Sequence, residues 1–155
     1  MKHKESVQYL LTNSLNDPIT KLLATNSHLT KTQLETLLID ILADNIADKQ
    51  LKYDEKARLR LTKAKISRGA FNRTLKQAKE NVLRSIFTVL LLGYLGVTES
   101  STLDPYLEVA NKLQEYIEAC KSSQSQIEHR KAVENVREEL EKSLRQLAES
   151  SNSDT

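Results

Sequence analysis

Apolar side chains recur every three or four residues along most of this chain, the period of helices that bury one face. Val7, Leu10, Leu11 and Leu15 predict a first helix over 5–14, closed by the turn Asn16-Asp17-Pro18. Asp17 ahead of Pro18 is a helix-start signal, since a carboxylate can accept from the free amides of a first turn and proline has no amide to leave unpaired there. A short helix over 18–24 is therefore predicted. Thr30 followed three residues later by Gln33 suits a capping box. It opens an amphipathic helix carrying Leu34, Leu37, Leu38, Ile41, Leu42 and Ile46, which should end near Asp48.

Asp54 is placed to cap a helix over 55–64 with Ala57, Leu61 and Ala64 inward, and the chain then breaks at Lys65-Ile66. Ser67 can cap the longest helix, where Phe71, Leu75, Ala78, Val82, Ile86 and Val89 or Leu90 make one continuous stripe expected to lie against the other helices. Beyond Phe87 the apolar positions cover nearly the whole circumference, so this end should be enclosed by its own domain or by a second copy. Gly93 and Gly96 mark its end. Asp104-Pro105 repeats the start signal for a helix with Tyr106, Leu107, Val109, Ala110, Leu113, Tyr116, Ile117 and Cys120. After a break over 122–126, a last helix over 127–149 carries Val133, Val136, Leu140, Leu144 and Leu147, with ion pairs such as Arg137 to Glu141 on its outer face. Residues 150–155 should be disordered.

With three glycines and two prolines in 155 residues, hairpin-rich β structure is disfavoured and an all-α protein is expected. The single cysteine, Cys120, forms no intrachain disulfide and suits a reducing interior. The mixed polar start shows no signal peptide, and the apolar run over 85–97 falls short of the about 20 residues a membrane span needs. A cytoplasmic protein is the expectation.

Charge changes this picture most. The net charge of +2 conceals a block, 49–84, with 12 basic against three acidic residues, a net of +9. Positive charge gathered in one quarter of the length, around a turn and the start of a helix, predicts an anion-binding surface, and nucleic acid is the favoured anion. Residues 57–75 fit two helices joined by a turn. Leu61 and Ala64 would pack the first helix on the second, Ile66 would plug the turn, and Phe71 with Leu75 would anchor the second helix.

The outer side of that helix carries Arg68, Asn72, Arg73, Lys76 and Lys79. Arginine can pair in bidentate fashion with guanine, asparagine with adenine, and lysine with phosphate. Gly69 and Ala70 are small enough for close approach of a sugar-phosphate wall, and the amides near Ser67 favour phosphate. Arg58, Arg60, Lys63 and Lys65 would contact the flanking backbone. RNA is less favoured, because the block's aromatics are Phe71 at a core-facing position and Tyr53 ahead of it, which make no exposed stacking platform.

The string from Ile66 to Leu75, Ile-Ser-Arg-Gly-Ala-Phe-Asn-Arg-Thr-Leu, resembles the turn and recognition helix of helix-turn-helix DNA-binding proteins, and 29–96 is similar to small archaeal proteins of that class. The resemblance covers less than half the chain and implies duplex-DNA binding by Arg68, Asn72, Arg73 and Lys76. Lys65 stands where such motifs usually have glycine in a left-handed conformation, which predicts a cost of about 1 kcal/mol or a different turn.

The expected architecture is thus an all-α, helix-turn-helix-containing bundle with a long central helix and amphipathic C-terminal helices. Its DNA-binding domain spans 1–97, a further helix over 98–122 packs on it or on a dimer partner, an amphipathic helix occupies 123–149, and a tail follows. The expected role is a nucleoid-associated transcription regulator or a DNA-organising or partition protein. Helix-turn-helix modules read half-sites, so a homodimer is expected, through Phe87, Leu91 and Leu95 or through Val136, Leu140 and Leu144. The alternative is a helical adaptor or assembly factor whose C-terminal helix binds a protein partner. His3, His28 and His129 lie far apart, and no phosphate loop or metal spacing occurs, so no enzyme, metal or cofactor is expected.

Overall fold

The computed structural model describes residues 2–62 and 64–97, and further along the chain 108, 110–112, 115, 130–131, 134–135, 137–138 and 141–142. Every regular element among them is a helix and none is a strand: α1 Lys2–Asn16, α2 Pro18–Thr25, α3 Lys31–Ala47, α4 Tyr53–Ala57 and α5 Arg68–Tyr94. The chain divides into two compact units, Met1–Leu91 and Leu92–Thr155. In the second, the described residues within 104–120 and 127–149 are helical, and Arg137 Nε pairs with Glu141 Oε1 at 3.5 Å, one turn away.

Local capping sets most helix boundaries in the first unit. Asp17 Oδ2 accepts from the Thr20 amide at 2.8 Å with Pro18 in the first turn of α2. The Thr30 and Gln33 side chains accept from each other's amides at 3.1 and 3.0 Å, the expected capping box. At the far end of α5, Gly96 takes φ of +70°, and Val97 N donates to Leu92 O at 3.0 Å, the bond that closes a helix through a left-handed residue.

The core joins Val7 and Leu11 of α1, Ile39 and Ala43 of α3, Ala57 and Leu59, and Phe71 and Leu75 of α5. Phe71 is fully buried, with its ring 6.4 Å from Tyr53. On α3 the innermost seam is Thr36, Ile39 and Ala43, whereas Ile41 is exposed and Leu34, Leu37, Leu38 and Leu42 are half-buried beside it. A compact seam lets the segment after α4 approach the α3 backbone, as Arg60 does at Thr32 O.

Two expectations are corrected. The helix predicted over 55–64 is only α4, Tyr53–Ala57, started by Lys52 N donating to Glu55 Oε2 at 2.9 Å. Past Ala57 the chain is drawn out of helix by side chains from elsewhere. Gln8 Nε2 donates to Leu59 O and Arg60 O at 3.3 Å each, and Leu61 N donates to Glu35 Oε1 at 2.8 Å. Leu59 therefore turns inward, while Leu61 and Ala64, predicted inward, are exposed. Secondly, the α5 stripe is buried only at Phe71, Leu75 and Ala78. Val82, Ile86, Val89 and Leu90, expected against other helices, are 40–60 % exposed, because α1 to α4 supply a core only for the first turns of α5.

Candidate nucleic-acid interface

Ser67 starts α5 as expected: its Oγ accepts from the Ala70 amide at 3.1 Å and its carbonyl from Phe71 N at 3.0 Å. Phe71 and Leu75 then pin the helix to the core. Because side chains advance 100° per residue, that anchoring turns Asn72, Arg73 and Lys76 away from the core, while Arg68, on the same helix side as Leu75, is exposed because it stands in the first turn, ahead of the core. Asn72, Lys76 and Lys79 border a shallow groove of about 320 Å³ closed by Tyr53, Leu75, Glu80 and Leu83.

A larger groove, about 750 Å³, opens between α1, the 58–67 connection and the start of α5. Arg58, Lys65 and Arg68 line it, and so does Lys4 of α1, which sequence reasoning missed. Asp54 is the acidic residue in its wall. Lys4 is one helical turn before Gln8, whose amide holds the connection in place, yet nothing in the local pattern of α1 marks it as part of a basic surface. At the groove's edge lie Ser67 and Arg68, where α5 begins and the helix dipole is positive. Gly69 is exposed with open space where a Cβ would stand, so packing within the chain does not require glycine there.

The basic block is not uniformly outward. Arg60, expected to contact DNA, is buried instead: its guanidinium donates to Thr36 Oγ1 and, at 3.5 Å, to Thr32 O, and its Nε finds no partner among the described residues. The Gln8 and Glu35 bonds that unwind 59–61 are what point it at α3. Lys79, also expected as a contact, pairs with Asp40 Oδ2 at 3.0 Å, which spends part of its charge although the side chain is 57 % exposed. Lys63 lies outside the described residues. Of the expected dimer contacts, Phe87, Leu91 and Leu95 are exposed, and Val136, Leu140 and Leu144 lie outside the described residues.

Lys56, also of the basic block, is 2 % exposed and bridges Asp40 Oδ1 and Asp44 Oδ2, each at 2.7 Å. Its ammonium stands 5.8 Å from the centre of the Tyr53 ring. Burial alone would push the Asp40 carboxyl up, but hydrogen bonds and charge from Lys56 and Lys79 outweigh it and hold Asp40 below the ordinary 3.8. Burial likewise works against the Lys56 ammonium, and the bonds to Asp40 and Asp44 outweigh it, raising it above 10.5. This network ties α3 to α4 and α5.

The 58–67 connection is longer than the three or four residues of a helix-turn-helix turn. Lys65 is not in the left-handed region, since Asp48 and Gly96 alone have positive φ among the described residues; the glycine-like turn is replaced by the longer path. Also among them, no three His, Cys, Asp or Glu side chains converge as metal ligands would, and no helix is long and apolar enough to cross a membrane. Comparison of the chain with known protein families, curated proteins and solved structures finds no match.

Proposed function

We propose that this protein binds duplex DNA by presenting the first turns of α5 to the major groove, as a transcription regulator or DNA-organising protein. The observation that carries the reading is the exposure of Asn72, Arg73 and Lys76 on the outer side of a helix fastened from behind by Phe71 and Leu75, with Arg68 exposed in its first turn. Arg68, Asn72 and Arg73 have the donor and acceptor sets that read base edges, while Lys76 suits phosphate. Arg58, Lys65 and Lys4 around the adjoining groove supply a second row of cations for the flanking backbone. The likeness of 66–75 to recognition helices points the same way, with a longer connection in place of the tight turn.

The exposed cations Lys4, Arg58, Lys65, Arg68, Arg73 and Lys76 set the expected salt dependence. Six phosphate-range contacts give a slope of log affinity against log salt of about −5.4, or roughly a 2,000-fold loss between about 50 and 200 mM salt. Fluorescence anisotropy on random duplex measures this directly. Arg68→Ala with Arg73→Ala should flatten the slope by about two and leave helicity intact. Equal binding by that double variant, or no salt-dependent binding by the wild type, would refute the proposal.

A further inference from the structure

Past Ala78, α5 leaves the core of the first unit and runs on as an apolar shaft. Leu83, Ile86, Phe87, Leu90, Leu91 and Tyr94 are each at least 52 % exposed. At 100° per residue, Leu83, Phe87, Leu90 and Tyr94 fall within a sector of about 60°, on the side where Asn72 and Lys76 stand in the earlier turns. One helix side therefore changes from cationic to apolar along its length. Arg84 is the one charged residue between Glu80 and Glu99.

We propose that a second copy of this chain docks on this face, so that two α5 helices cross near Leu90 in an isologous dimer. Area is the first reason. At about 100 Å² for each half-exposed large side chain, these six offer roughly 600 Å² per copy, most of the about 800 Å² per partner in a standard interface. Monomers rarely leave more than a few hundred Å² of contiguous apolar surface in water. Charge is the second reason. A face almost without charge has nothing to recruit a charged partner, whereas it complements itself across a two-fold axis and keeps the cationic turns away from the seam.

Reach is the third, and it rests on the DNA-binding reading. Asn72 and Leu90 are separated by about 27 Å along the helix at 1.5 Å per residue. Two such arms diverging from a crossing near Leu90 can span half-sites about 34 Å apart, one turn of duplex.

Sedimentation equilibrium on the full chain without DNA tests the pairing independently of DNA binding. The wild type should show twice 17.6 kDa at micromolar concentration, and Phe87→Glu with Leu90→Glu should give 17.6 kDa with unchanged helicity. Thr88→Glu, an exposed position on the other side of α5, should remain dimeric. A monomeric wild type, a dimeric Phe87→Glu/Leu90→Glu variant, or equal disruption by Thr88→Glu would each overturn the proposal. Footprinting adds the dependent reading: a dimer that protects two half-sites one turn apart supports the reach, and a dimer that binds no duplex leaves the pairing standing while removing the DNA role.

Discussion

Replacing Lys56 by methionine tests how the buried charge network holds α3, α4 and α5 together. Methionine keeps most of the length and the apolar stem, so the change removes little except the ammonium that donates to Asp40 Oδ1 and Asp44 Oδ2 at 2.7 Å and to Asp40 O at 3.3 Å. Removing one partner of a buried ion pair typically costs about 3–5 kcal/mol, chiefly because the opposite charge is left buried and unpaired. Here that penalty is softened. Asp40 keeps Lys79 at 3.0 Å, Asp44 still accepts from Leu51 N at 2.8 Å, and the two carboxylates are 16 % and 32 % exposed. A loss of about 2–4 kcal/mol follows, a large share of the roughly 5–15 kcal/mol that holds a domain together.

Urea unfolding followed by far-UV circular dichroism would read it as a midpoint lowered by about 1–2 M at an unchanged slope. Adding Asp44→Asn to Lys56→Met should cost less than the two single changes together, with a coupling of about 0.5–3 kcal/mol, because the stranded carboxylate is then gone. A Lys56→Met protein within about 0.5 kcal/mol of wild type would refute the reasoning, since the ammonium would then be no better placed than one in water.

The same network sets two pH limits. Asp40 is held below 3.8 in the folded chain, so its contribution is present above that value and is lost as acid carries pH down through the lowered folded value. Lys56 is held above 10.5, so its contribution is complete below that value and is lost as pH rises through the raised one. The unfolding midpoint should therefore be insensitive to these groups from about pH 5 to 10 and fall outside it, and Lys56→Met should remove the alkaline fall. Arg60→Met should cost about 1–3 kcal/mol through the lost charged hydrogen bonds to Thr36 and Thr32, while the salt slope of DNA binding by the folded protein stays as in wild type. A slope flattened by one with no loss of stability would place Arg60 at the DNA instead.

Sequence alone determined the all-helical class, the starts of α2, α3 and α5, and the anchoring of α5 by Phe71 and Leu75. Each of these depends on groups a few residues apart. Asp17 reaches the Thr20 amide, Thr30 and Gln33 cap each other, Ser67 reaches the Ala70 amide, and apolar residues one turn apart share a helix side wherever that helix lies. Tertiary structure alone decided which members of the basic block turn inward. Lys56 and Arg60 look like their exposed neighbours Arg58 and Lys65 in sequence, and they are buried because Asp40, Asp44 and Thr36 stand on α3, 12 to 24 residues away. The early end of α4 has the same origin, since Gln8 and Glu35 take up backbone groups around Leu59 to Leu61 that an isolated helix would have kept for itself. Periodicity likewise marks Val82 to Leu90 as an apolar stripe, but burial needs an apolar surface at the same height, and the apolar core of the first unit ends at Ala78, with Asn81 beyond it bonded to His28 O and Gln33 Oε1.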